Sequence, residues 1–155
     1  MRDWPANAVD VEGAVRLLQH GLPALEPLLP DMVLWLKNQG PVRDCFGDFL
    51  ARNGSSIIPA VREALKGSHE GQIGYLLRQV LARWSRAEIL TVQLELEQLL
   101  QRGSLTGLNI EALDLLTRSG AETHAPISEW AALFRRRLEE QSDILDRIEG
   151  GLNAG

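Results

Sequence analysis

Between Pro41 and Asn53-Gly54 the apolar residues Val42, Cys45, Phe46, Phe49 and Leu50 fall at i, i+3, i+4, i+7 and i+8, the spacing that lines one face of an α-helix. Proline is tolerated in the first helical turn and Asn-Gly favours leaving the helix, so both ends of the stripe carry their own boundary signals. A chain that repeats this pattern folds as packed helices and leaves no material for a sheet. Val, Ile, Thr and Tyr in strict alternation, the mark of strands, are missing.

The pattern does repeat. Residues 1–9 form an irregular lead-in, and Asp10 caps a helix to about His20 that places Val11, Val15 and Leu18 on one face, with Gly21 as its stop. Pro23, Pro27 and Pro30 confine Leu22–Leu29 to a short helical turn before a helix that starts at Asp31 and ends at Asn38-Gln39-Gly40. After the helix from Pro41, another carries Val61 and Leu65 to Lys66-Gly67. The next, from about Gly71 to Trp84, buries Ile73, Leu76, Leu77, Val80, Leu81 and Trp84. Ser85 with Glu88 is a capping box and opens a helix with Ile89, Val92, Leu96, Leu99 and Leu100 that stops at Gly103. Asn109 or Thr106 opens a helix to Ser119-Gly120, and Pro126 opens the last and longest, to about Glu149.

The spacing also contains a repeat. Pro30-Asp31-Met32 through Trp35-Leu36-Lys37 aligns with Pro59-Ala60-Val61 through Ala64-Leu65-Lys66, and Phe46, Phe49 and Leu50 align with Leu77, Val80 and Leu81. A unit of about 30 residues, two antiparallel helices and a short turn, predicts an all-α, right-handed α-solenoid of HEAT-like hairpins. The expected organisation is one domain over 1–155, with a repeat core at about 25–120 and a C-terminal helix at about 126–149 that caps the open end. A generic helical bundle without superhelical stacking is the alternative. At 155 residues the chain buries enough surface to need no disulfide or metal staple, and Cys45, the only cysteine, can form no internal disulfide. Cys45 is in phase with its apolar neighbours, as a buried, inert thiol would be.

Leu29-Pro30-Asp31 with Trp35-Leu36, Pro41-Val42, Asp48-Phe49-Leu50, and Ile58-Pro59 with Val61-Arg62-Glu63-Ala64-Leu65 resembles a small bacterial HEAT-like domain family of unknown function, as does Asn109-Ile110-Glu111-Ala112-Leu113-Asp114-Leu115-Leu116. The resemblance covers roughly residues 25–120 and implies the fold without supplying an activity. It departs at Gly40, where the family carries an aromatic, and at Glu70-Gly71-Gln72-Ile73-Gly74-Tyr75, where it carries an acidic-aromatic-Lys start.

Chemistry is sparse. His20, His69 and His124 lie far apart near helix ends or in loops, where they read as carbonyl caps. No metal-ligating spacing, phosphate loop or cofactor motif occurs, so neither a metal nor a cofactor is expected. Of the carboxylate pairs Asp44/Asp48, Glu95/Glu97 and Glu139/Glu140, only Asp44 and Asp48 must share a helix face, and that face is solvated, with Asp48 placed to pair with Arg52. Arg135-Arg136-Arg137 is the only basic run and is answered at i+4 by Glu139 and Glu140. Tyr75, the only tyrosine, lies about 200° around its helix from Ile73. It reads either as an interface anchor or as an aromatic packed on a neighbouring helix. Aligning the apolar stripes of the second helices puts Asp44, Asp48, Tyr75, Arg78, Gln79, Asp114 and Arg118 on one outward surface, the candidate protein-interaction site.

The net charge of −5 and a pI near 5.2 suit a basic protein partner better than phosphates. No signal peptide and no apolar run approaching the ~18 residues of a membrane span is seen, so a cytoplasmic protein is expected. The function expected is non-enzymatic: a protein-binding module, in its most concrete form a bacterial immunity protein or antitoxin that occludes a toxin. The alternative is a nucleic-acid-handling HEAT-like protein, of the glycosylase type or a DNA binder, which needs a basic concave face. The C-terminal helix adds the option of a homodimer contact.

Overall fold

A computed structural model describes residues 4–102, 107–123 and 125–154. Their regular structure is all helical, with no strand among the described residues. The α-helices are α1 (Val11–Leu18), α2 (Leu29–Trp35), α3 (Pro41–Arg52), α4 (Gly54–Lys66), α5 (Glu70–Tyr75), α6 (Arg86–Thr91), α7 (Gln93–Leu100), α8 (Gly107–Ser119) and α9 (Ile127–Asn153). A 3₁₀ turn, Glu26–Leu28, leads into α2, and α5 runs on through a π-turn, Leu76–Val80, and a 3₁₀ turn, Leu81–Arg83. Thr106, one of the two expected openers of α8, and Gly103 lie outside the described residues.

Local chemistry sets these boundaries. The Asp10 carboxylate accepts from the Gly13 N–H at 3.0 Å and the Ala6 N–H at 2.8 Å, capping α1 and pinning the lead-in to it. Those two donors, Ala6 first, hold its carboxyl below the usual carboxylate range. Ser85 and Glu88 form the expected capping box in both directions. Gly21 and Gly120 adopt positive φ after α1 and α8. His69 corrects an expectation: its Nδ1 accepts from the Gln72 N–H, so it caps the start of α5 and not a helix C-terminus. His124 lies outside the described residues.

α2 lies on α4, and α4 on α6 and α7. In parallel, α3 lies on the π-turn, which lies on α8. The aligned positions Met32 and Leu36, and Val61 and Leu65, are buried, as are Phe46, Phe49, Leu50, Leu77, Val80 and Leu81. Trp84 joins them, while Cys45 is half-buried at the edge of the core.

Three readings are corrected. In α1 the buried residues are Gly13, Ala14 and Leu17, and Val11 and Val15 face solvent. The small side chains let α1 approach α3 closely, and that outweighs exposing two valines. The helix expected from Ser85 to Gly103 is broken at Val92, where φ −111° and ψ 17° separate α6 from α7. The lead-in is part of the core: Trp4 packs edge-on against Trp35 at 5.6 Å and tilted on Phe46 at the same distance. The Ala8 carbonyl meanwhile accepts from the Val42 N–H, one of the unpaired donors at the start of α3.

In α9 the first half docks and the second does not. Phe134 is buried and Trp130 stacks on it at 5.8 Å, where α9 meets α8. From Leu138 onward every described residue is exposed.

Candidate functional site

Three separate ion pairs involve the residues expected on the second-helix surface. Asp48 on α3 binds Arg83 at 2.6 Å, Arg78 on the π-turn binds Glu111 of α8 at 2.9 Å, and Asp114 binds Arg118 at 3.1 Å within α8. Gln79 is exposed beside them. Asp48 does not choose Arg52, whose Nε donates instead to the Asp48 backbone carbonyl at 3.3 Å. Two of these pairs therefore tie neighbouring elements together, and the third lies within α8.

Tyr75 is the exception among those residues and corrects the expectation of an exposed anchor. It is 7% exposed, and its hydroxyl lies 3.1 Å from the Arg43 carbonyl and 2.9 Å from the Asp44 carboxylate. The Arg43 guanidinium sits 4.5 Å over its ring. Burial, then the Asp44 bond, pushes the phenol well above its ordinary range, so it stays neutral. Phase alone misleads here because α5 touches α4 and α8 while its π-turn touches α3. A helix enclosed on three sides has no free face at that height. The signal present in the sequence is Gly47, a poor helix residue in mid-α3. A Cβ there would lie 2.3 Å from the Tyr75 hydroxyl oxygen. Gly47→Ala is expected to cost about 1–3 kcal/mol by overpacking, with Tyr75→Leu in the same chain recovering part of the loss in urea titrations.

A second feature was not legible in the sequence. A groove of about 750 Å³ opens between α2 and α4. Pro30, Val33 and Leu34 form one wall and Pro59, Ala60 and Ala64 the other, with Lys37, Glu63 and His69 at the rim. Pro30 and Pro59, aligned in the sequence, face each other across the groove between α2 and α4. Gln72 closes its floor, buried, with its amide donating to the Val33 carbonyl at 2.9 Å. Leu34 is 53% exposed along the opening, a large apolar side chain with no cover.

The other expected chemistry is dispersed. Glu95 is buried and held by Arg62 at 3.6 Å, whose Nη2 also donates to the Thr91 carbonyl at 2.6 Å. Burial, then the nearby Asp44, raises the Cys45 thiol above its ordinary range. Among the described residues no group of three or more His, Cys, Asp or Glu is placed to hold a metal ion, and no helix is long and apolar enough to cross a membrane. Compared with known proteins, the chain matches no family model, no curated protein and no solved structure.

Proposed function

We propose that this chain is a non-enzymatic protein-binding module of the HEAT-like, right-handed solenoid type, and that the groove between α2 and α4 grips apolar side chains of its partner. The groove carries the reading: an uncovered apolar trough of about 750 Å³ with one cation, Lys37, and one anion, Glu63, at its rim. A partner segment with one apolar face and mixed flanking charge fits it. With a net charge of −5, an immunity protein or antitoxin directed at a basic toxin is the concrete form we favour. The row of Asp44, Asp48, Arg78, Gln79, Asp114 and Arg118 is the less favoured surface, because most of its charges already have partners. The same pairing weakens the nucleic-acid reading, which needs unpaired cations facing phosphates.

Selection of displayed helical peptides against the folded chain tests the groove. Binders should lose roughly tenfold or more in affinity to Leu34→Asp, about 1.4 kcal/mol, and nothing to Arg78→Ala. Both side chains are more than half exposed, so the thermal midpoint should hold in each variant. Binders that ignore Leu34→Asp but fail on Arg78→Ala would move the site to the charged row, and salt-dependent binding of duplex DNA would favour the nucleic-acid reading.

A further inference from the structure

The free half of α9 carries a seam that the other described residues leave uncovered. From Phe134, successive steps of four and three residues reach Leu138, Gln141, Leu145, Ile148 and Leu152. This is the alternation of positions a and d in a coiled coil. Phe134 is buried against the body, whereas Leu138, Leu145, Ile148 and Leu152 are 46–76% exposed. The seam thus begins as an intramolecular contact and continues for about 24 Å of bare helix, at 1.5 Å per residue. A solvated surface helix has no reason to keep leucines at seven-residue intervals. A helix paired with another helix does.

Charge and one further side chain identify the other helix. Arg135-Arg136-Arg137 make the start of the seam basic, while Glu139, Glu140, Asp143, Asp146 and Glu149 against Arg147 make the rest acidic. A second copy aligned parallel would set arginines beside arginines and acids beside acids. Reversed, it sets Arg135 beside Glu149 of the second copy, twice by symmetry. In that register Leu138 meets Ile148 of the second copy and Gln141 meets Leu145, with the polar Gln141 fixing register at a cost in stability. Ile144, outside the a and d positions yet apolar and 47% exposed, then falls against Ile144 of the second copy. In the parallel arrangement the same isoleucine would face Glu149.

We propose that the free half of α9 is a homodimer interface, in which two copies pair antiparallel about Ile144. The dimer is isologous and leaves the α2/α4 groove of each copy open. Light scattering on the full chain at about 100 µM should give twice the 17.2 kDa chain mass, falling to the monomer with Leu145→Glu or Ile148→Glu. Helical circular dichroism and the urea midpoint of the body should stay as in the parent diluted to monomer, because both side chains are more than half exposed. In a Cys45→Ser background, Ile144→Cys should oxidise to a covalent dimer and Leu145→Cys should not. Arg135→Glu should weaken the dimer, and Arg135→Glu with Glu149→Arg should restore it. A monomer at that concentration, or a dimer that survives both glutamate variants, overturns the interface. Cross-linking through Leu145→Cys and not Ile144→Cys overturns the antiparallel arrangement.

Discussion

Phe46→Ala should cost about 3–5 kcal/mol of folding stability, read as a drop in the urea midpoint at unchanged m-value. Phe46 is fully buried on α3, and its ring lies 5.6 Å from Trp4 and 6.0 Å from Trp35. Removing it takes away the transfer free energy of a phenyl ring and opens a void bounded by two indoles. Those rings cannot collapse into the void without giving up their own edge-on contact at 5.6 Å. Phe46→Leu keeps most of the volume and should cost well under half as much. Trp4 belongs to the lead-in, so the alanine variant should also release that segment to proteolysis before the rest of the chain. A cost below ~1 kcal/mol, or a lead-in that stays protected, would mean that the three rings do not act as one cluster.

Phe46 and its neighbours were legible because α3 presents one face to the core, and the period of large apolar residues then gives that face directly. The same reasoning fails in α1, where close approach is set by Gly13, Ala14 and Leu17 and the larger valines are left outside. It fails at Tyr75 because α3, α4 and α8 close around the helix at that height, so the phase of its apolar residues does not mark the solvent side there. The break at Val92 and the π-turn at Leu76–Val80 carry no glycine or proline, so nothing local announces them. Of the candidate surface, the charged row was legible because it lies on the faces opposite the apolar stripes. The groove was not, because Pro30 and Pro59 read as helix punctuation, and only the lateral packing of α2 on α4 turns two punctuation marks into the walls of one trough.

Gly40→Ala should be the most damaging single methyl in the chain. Gly40 has φ 142° and ψ 174°, a region only glycine occupies without strain, and forcing another residue there costs on the order of 1–3 kcal/mol. A Cβ at that position would also lie 2.6 Å from the Ala8 carbonyl oxygen, a backbone atom that cannot rotate aside. Moving Ala8 breaks its bond to the Val42 N–H at 3.2 Å and draws Trp4 away from Trp35 and Phe46. The strain and the displacement therefore add, and the total should exceed the overpacking expected of Gly47→Ala. Here lies a physical reason for glycine at position 40: in this chain the lead-in backbone occupies the space a side chain would need. Removing residues 1–9 separates the two costs. In that shortened chain Ala8 is absent, so Gly40→Ala should cost only the backbone strain, a visibly smaller shift in urea midpoint than in the full chain. Equal shifts in the two backgrounds would show that the lead-in does not press on Gly40, and that the methyl is rejected by φ alone.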